Sequence, residues 1–579
     1  MRNIVACHWG HDASVCFWND AKQRFHTIEI EKLTGIKHYR GHLRRDEEVE
    51  ILRECQRIAE TEFGIPNQYA AVIRGSIRRL SDIETDADGL ASIDAISQVF
   101  NTAQILVHTK HHWAHAASGY SQSPFEKALI ITMDGGGDDG LFHVYRAEAR
   151  DKRFEWITNF NMHEASSGRY TLGRRYNDAA FWTCPNIMHN TDNLLDVAGK
   201  VMGASAYGDM LAGYDVGSKA FSQGFGYIGE HANPALSTYY DFYTSNDLEG
   251  KKILNDLISD SPELFNPYQM FLPKEFNWET ECSIAKGIQD AFCTEAMALM
   301  GEYIKEYAQD LDNNIVFNGG CALNVILNKR LQDEYPHIDF YVPPNPTDVG
   351  LPHGMICKYM ARSSEQEHFP KWHKPITYSG TRLLDRKELP DYMEIYPYSA
   401  VGPSEIAQVL RSDKIVGLVQ GGIEVGARAL GNRSILADPK GEHKKDLVNK
   451  VKRREPYRPF APICRYEDAR KYFVATNYDN LQYMNYAVDT REEYIEELRA
   501  VTHVDGTARL QTVKYEDNHF MYDLLTQFDG VLLNTSFNVK GKPILNTLKE
   551  AFYMLDETPL DHLVIVDDDG QAYMFNKKA

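Results

Sequence analysis

Glycine, arginine and small polar side chains alternate in one run near the C-terminal third, Val419-Gln-Gly-Gly-Ile-Glu-Val-Gly-Ala-Arg-Ala-Leu-Gly-Asn-Arg-Ser434. Two segments of the same character follow, Lys452 to Pro462 and Leu533 to Asn538. Glycine lets backbone approach a ligand closely. Arginine offers a planar fork of donors that pairs with phosphate or carboxylate oxygens. Arg428, Arg433, Arg454, Arg458 and Arg509, with Ser536 and Asn538, therefore read as a pocket for a highly charged phosphorylated substrate. The neighbouring Lys444, Lys445 and Lys450 read as a solvated basic helix face instead.

A second kind of chemistry sits in the N-terminal half, at His111-His-Trp-Ala-His115. Histidines at i and i+4 share one face of a helix and can share a metal ion. Surface or capping histidines are the alternative reading. Asp134 and Asp348 stand beside glycine turns and supply carboxylates. His111, His115, Asp134 and Asp348 would form a mixed nitrogen and oxygen site suited to iron, manganese or zinc. His112 would point elsewhere, to solvent, substrate or backbone. Glycine turns recur at Gly10 (beside His11 and Asp12), Gly135 to Gly137, Gly203, and Gly319-Gly320 with Asn324. Any one of them is an ordinary turn. On strand-turn patterns, together, they point to a split nucleotide fold whose hairpin tips hold phosphates.

The elements that must position these groups are legible in outline. Asn3 to Ala6 and Ser14 to Trp18 read as strands about a turn. Ala128 to Met133 and Leu141 to Tyr145 read as a hairpin with a glycine-rich tip. Ser283 to Leu311 has apolar residues at helical spacing. Ile315 to Phe317 reads as a buried strand, and a glycine turn and helix follow it, an order that cradles phosphate at a helix N-terminus. A Pro- and Tyr-rich stretch of weak periodicity, Ser363 to Pro403, places a domain boundary near 375. After it come a helix at Glu405 to Leu410 and a strand at Ile415 to Val419, and His503 to Thr512 supplies a further strand with polar tips. No repeat of fixed period is apparent. The expectation is an α/β protein of two domains, 1–375 and 376–579.

The 579 residues are enough for several domains, and 43% are hydrophobic, enough for real cores. The formal charge of −20 makes nucleic acid a less favoured partner without excluding it. The nine cysteines are scattered and never in a C-x-x-C pair, which argues against a disulfide framework and a zinc finger and for a reducing cytoplasm. No signal-peptide stretch is evident, and no apolar run approaches the ~20 residues of a membrane span.

These motifs, in this order, resemble the O-carbamoyltransferases of the nodulation-protein and antibiotic-tailoring type. The resemblance rests on His11-Asp-Ala-Ser14, His111 to Ser118, Met133 to Gly136, Gly199-Lys-Val-Met-Gly203 with Tyr207-Gly208, Gly319-Gly320 with Asn324, Arg428 to Pro439, Arg454 to Pro462, His503 to Thr512 and Leu533 to Asn538. It implies an N-terminal actin/Hsp70-like (Kae1-like) domain with a bound metal, usually iron, and a C-terminal YrdC-like α/β domain. It implies that Gly135, Gly136, Gly137, Lys200, Gly203, Gly319, Gly320 and Asn324 serve a nucleotide. Carbamoyl phosphate and ATP, the latter with Mg2+, would meet at the arginine pocket, where Arg428 and Arg458 would be catalytic. Carbamoyl adenylate formed there would pass to the metal-bearing site, with His11, beside Asp12, as candidate general base. The acceptor would be a hydroxyl on a sugar, a natural product or a hydroxymethyl nucleotide or base. A homodimer is left open.

The chain departs from the pattern at Ala427, where proline is usual. Glu31-Lys-Leu-Thr-Gly-Ile-Lys37-His38 replaces a Glu-Glu-Arg segment, and Ala204 to Gly208 is altered. These changes touch acceptor identity rather than reaction class. Competing readings are a tRNA threonylcarbamoyl-adenosine synthase, which should be basic, and a nucleotide-binding regulator, which leaves the arginine segments unexplained. Hydrogenase-maturation carbamoyltransferases carry cysteine pairs that this sequence lacks.

Overall fold

The computed structural model describes residues 2–41, 45–75, 87–108, 110–137, 139–158, 172–184, 187, 194–210, 213–222, 277–362, 368–371 and 376–578. The boundary expected near 375 lies outside the described residues.

Strands β1 (Ile4–His8), β2 (Ser14–Asn19), β3 (Arg24–Glu29), β4 (Ala71–Gly75) and β5 (Ile105–His108) form a first sheet in the order β3-β2-β1-β4-β5. The first three are antiparallel, and β1-β4-β5 are parallel. Strands β6 (Lys127–Met133), β7 (Phe142–Glu148), β8 (Arg153–Trp156), β9 (Asn314–Asn318) and β10 (Asp339–Tyr341) form a second sheet in the order β10-β9-β6-β7-β8. Its pairings repeat the first sheet's, antiparallel for β6-β7-β8 and parallel for β6-β9-β10. Two sheets with the same strand order and the same mixture of directions are the actin/Hsp70-like arrangement that the resemblance implies. The central strands β1 and β6 are apolar and buried on both faces, as the middle of a covered sheet requires.

The helix His111–Gln122 packs against the helix Leu351–Arg362 at the centre of this pair of sheets. Gly354 makes that approach close, for a Cβ there would lie 1.9 Å from the Ala114 carbonyl oxygen. The long helix Trp278–Tyr307 starts at Asn277, whose side chain accepts from the Thr280 N–H. The helix expected over Ser283 to Leu311 thus starts earlier, at Trp278, and ends at Tyr307, with a short turn at Gln309–Leu311 after it.

The second part of the chain is also α/β. Strands β11 (Tyr398–Val401), β12 (Val416–Val419), β13 (Arg433–Ala437), β14 (Ala461–Arg465), β18 (Gln511–Val513), β19 (Leu532–Ser536), β20 (His562–Val566) and β21 (Ala572–Asn576) form one mixed sheet, ordered β11-β21-β20-β12-β13-β19-β14-β18. The short β15 (Phe473–Val474), β16 (Val488–Thr490) and β17 (Thr507–Ala508) form a small sheet beside it. The expected helix and strand at its start are Pro403–Arg411 and β12. The His503 to Thr512 strand is in fact two short ones, β17 and β18, in different sheets.

Candidate active site

His111 and His115 face the same way from one helix, and their Nε2 atoms lie 3.1 Å apart. Asp134 follows β6 directly. Asp348 opens the turn leading into the helix Leu351–Arg362, and the Gly354 contact brings that helix against the histidines. His115 Nε2 is 3.5 Å from Asp134 Oδ2 and 3.3 Å from Asp348 Oδ1, and His111 Nε2 is 3.5 Å from Asp348 Oδ1. One ligand atom from each of the four lies within 4.8 Å of all the others, and all four residues are buried. Asp134 is steadied by the Gly135 and Gly320 N–H groups, at 2.5 and 2.6 Å. His112 takes the backbone alternative: its ring pairs with Thr132 Oγ1 and the Gly140 carbonyl.

Asp348 also reaches the first glycine turn, for its Oδ2 lies 3.4 Å from the Nε2 of both His8 and His11. Burial alone would raise the Asp348 carboxyl, but His11, His111, His115 and His8 around it hold it well below the usual range. Asp348 Oδ2 nonetheless has no hydrogen-bond partner of good geometry. A buried carboxylate ringed by imidazoles, with an oxygen left over, suits a divalent cation, and two His with two Asp is a donor set such ions accept.

His11 Nδ1 is 3.2 Å from Asp12 Oδ2, and His38 Nδ1 is 2.6 Å from Asp12 Oδ1. Asp12 and His38 both adopt left-handed backbone, at φ 54° and 52°. Such conformations persist where the surroundings impose them, and they cluster at ligand sites. Asp196, at the foot of the helix Val197–Ser205, holds Lys37 and approaches His38 Nε2 at 3.4 Å. Burial lowers the basicity of both rings, but Asp348 and Asp12 beside His11, and Asp12 and Asp196 beside His38, outweigh it. His11 is raised to about 9 and His38 to about 10. The acidic neighbours thus favour the protonated form of both rings, and offsetting the charge of Asp348 would lower His11 again.

The arginines gather at the other wall of the same cavity, which has a volume of about 610 Å³. Arg428, Arg454, Arg458, Arg509, Ser536 and Asn538 line it, as do His11, Asp12, Asp134, Asp348, Gly135, Gly136, Lys200, Gly203, Gly320 and Asn324. Burial and mutual repulsion lower Arg428, to about 10, and Arg454 and Arg509 as well. Arg428 Nε and Arg509 Nε are buried without a partner. Arg454 lies over the Phe460 ring at 4.2 Å and donates to the Pro459 carbonyl. Clustered guanidiniums with so few carboxylates among them make a site for anions.

Four expectations need correction. Arg433 is fully buried and does not reach the cavity; it donates to the carbonyls of Gln420, Gly421 and Asn432 and so braces the glycine loop from behind. Gly137 and Gly319 also stay off the cavity wall. A Cβ on Gly137 would press on His111, and one on Gly319 would strike the Met133 backbone, so both serve packing. Lys444 is not solvated: it is buried, with its ammonium 2.6 Å from Asp413 Oδ1.

Sequence reasoning missed several participants. Lys452 donates to Ser536 Oγ at 2.9 Å and also pairs with Asn538, so both pocket residues are held by an amine at the start of a segment already singled out. Glu455 joins Lys200 of the first part (3.1 Å) to Lys540 (2.7 Å). Buried Glu424 accepts from the N–H groups of Leu430, Asn432 and Arg433 and shapes the loop. A lone acid in a loop, or an amine at the end of a helix, carries no periodic signal that would have found these.

Residues 90–357 match the family described as carbamoyltransferase N-terminus, and residues 407–568 match carbamoyltransferase C-terminus. The chain belongs to the carbamoyltransferase family and is a transferase. It is 30% identical over 469 residues to nodulation protein NolO of Bradyrhizobium diazoefficiens, covering 79% of this chain and 77% of that one. It is 28% identical to nodulation protein NolNO of Sinorhizobium fredii, covering 96% and 78%. It is 32% identical over 293 residues to the 3'-hydroxymethylcephem-O-carbamoyltransferase of Amycolatopsis lactamdurans, covering 48% and 54%. No helix among the described residues is long and apolar enough to cross a membrane.

Proposed function

We propose that the protein is an ATP-dependent O-carbamoyltransferase that works through carbamoyl adenylate. The observation that carries the reading is the single cavity with guanidiniums on one wall and the His11, Asp134 and Asp348 cluster on the other. At the arginine wall, water cleaves carbamoyl phosphate to carbamate and phosphate, and the carbamate oxygen attacks the α-phosphorus of ATP. Pyrophosphate leaves and carbamoyl adenylate remains. Arg428, Arg454, Arg458 and Arg509 neutralise oxygens whose charge grows in that step. Adenylation removes the anionic charge that makes carbamate a poor electrophile and supplies a good leaving group. The intermediate then crosses the cavity without entering bulk water.

At the other wall the acceptor hydroxyl attacks the carbamoyl carbon, the bond to the AMP oxygen breaks, and the hydroxyl proton passes to a base. A divalent cation on His111, His115, Asp134 and Asp348 would supply positive charge for the nucleotide phosphate and offset Asp348. With that charge offset, His11 is the base, positioned through Nδ1 by Asp12. Iron is the metal that the resemblance favours, and Mg2+ would accompany ATP. The assignment of transfer to 1–375 and activation to 376–579 belongs to this proposal, as do a cytoplasmic location and a small-molecule or nucleotide hydroxyl as acceptor. The A. lactamdurans relative, by its name, carbamoylates a hydroxymethyl group.

The test is exchange of labelled pyrophosphate into ATP, which needs no acceptor. Exchange that depends on carbamoyl phosphate supports the activation step. Folded, metal-loaded protein that shows none, with or without candidate acceptors, overturns it.

A further inference from the structure

The two walls of the cavity are joined by a buried ion pair far from either motif in sequence. Glu29 ends β3, and Lys32 lies in the short helix Ile30–Thr34 that follows. Each is only 5% exposed, and Lys32 Nζ is 2.5 Å from Glu29 Oε1. Both also grip the glycine-arginine loop of the second part. The Gly426 N–H donates to Glu29 Oε1 at 2.9 Å, and Lys32 Nζ donates to the carbonyls of Glu424 at 2.7 Å and Gly426 at 3.1 Å. All three ammonium hydrogens of Lys32 thus have an oxygen.

The gripped residue stands two positions before Arg428. Gly426 is held at φ 117°, and a Cβ there would lie 2.8 Å from the Pro344 carbonyl oxygen of the first part, so the turn is fixed on that side too. The gripping segment is equally committed. The Ile30 N–H donates to the Ala13 carbonyl next to Asp12, and Glu31 Oε2 accepts from the His38 N–H at 2.8 Å. A buried ion pair adds little net stability, because desolvation offsets its attraction, but its fixed partners specify geometry.

We infer that Glu29 and Lys32 are positioning residues for carbamoyl activation: they hold the Gly426 turn so that Arg428 meets the carbamoyl-bearing anion, and they tie Arg428 to the segment carrying His11, Asp12 and His38. The inference rests on the activation reading above. Neither residue touches the reacting atoms in this scheme. Their effect is on where Arg428 stands.

The experiment uses full-length protein with Glu29→Gln and Lys32→Met combined, which removes both charges and leaves no lone buried ion. Lys32→Met alone is the harsher comparison, because it strands Glu29. In the double variant, with circular dichroism and melting unchanged, KM for carbamoyl phosphate in pyrophosphate exchange rises about tenfold while KM for ATP stays within about twofold. Amide hydrogen exchange across 423–431 quickens about tenfold. A folded double variant with parental loop protection and parental KM for carbamoyl phosphate overturns the inference. If the parent itself shows no exchange reaction, the activation reading fails separately. Calorimetric binding of inorganic phosphate then decides the positioning role: about tenfold weaker binding in the double variant supports it, and equal binding overturns it.

Discussion

His503 Nε2 donates to the carbonyl of Gly203 across 3.0 Å, joining residues 300 positions apart. The bond stitches the helix Val197–Ser205 of the first part to the loop that carries Arg509, and Tyr207 packs edge-on against the His503 ring. Burial lowers the basicity of His503. Replacing His503 by Ala should lower unfolding free energy by about 1–2 kcal/mol, measured by denaturant titration, because the Gly203 carbonyl loses a buried donor. An unchanged midpoint would mean that this contact does not hold the parts together.

Arg458 lines the cavity and has Glu455 as its nearest carboxylate, at 3.8 Å. Arg458→Ala should cut carbamoyl-phosphate-dependent pyrophosphate exchange by about 10²–10³-fold with the fold intact. A nucleotide-binding regulator would tolerate the change.

His115→Ala should remove one of four converging ligand groups. Metal content by elemental analysis should fall below stoichiometric, and carbamoyl transfer should be lost, whereas pyrophosphate exchange should survive. Full metal retention would show that His115 is not a ligand.

Gly354→Ala should be among the most damaging small substitutions. The added carbon has no room beside the Ala114 carbonyl, so helix Leu351–Arg362 must move away from His111–Gln122. A loss of about 1–3 kcal/mol or more is expected by thermal melting, with weaker retention of the proposed metal because Asp348 opens the turn that leads into that helix.

His26 stacks on Phe63 with ring centroids 4.1 Å apart, and its Nε2 is buried without a partner. Burial, then Arg24 and Lys22, lower it from 6.5 to about 3. The unfolded chain takes up this proton first, so stability should fall as pH drops from about 6.5 toward 3. His26→Phe should flatten the decline between pH 6.5 and 5 by about 1–2 kcal/mol, read from melts across pH.

Much of the site was legible because its residues are of kinds with few other uses. Two histidines one helical turn apart and carboxylates beside glycine turns announced the His111, His115, Asp134 and Asp348 cluster. Spacing could not show which arginine faces inward. Arg433 and Arg428 sit in the same motif, yet one braces carbonyls and the other lines the cavity, and only the antiparallel pairing of β13 with β12 decides it. Lys444 reads as a surface lysine until Asp413 arrives from another loop. The duplicated strand order β3-β2-β1-β4-β5 leaves no periodic trace either, because topology constrains burial and direction, not residue identity.

The cationic cavity lies inside a chain of net charge −20. An incoming polyanion therefore climbs a repulsive outer field before it falls into an attractive inner one. Dissolved salt screens the outer barrier first, since the Debye length at physiological ionic strength is about 8 Å and the inner groups are close and partly dry. Capture of ATP and carbamoyl phosphate, the substrates proposed above, should thus quicken with modest added salt and slow only at higher concentration, the reverse of ordinary electrostatic steering at low ionic strength. Phosphate buffers would confound this behaviour by occupying the guanidiniums themselves.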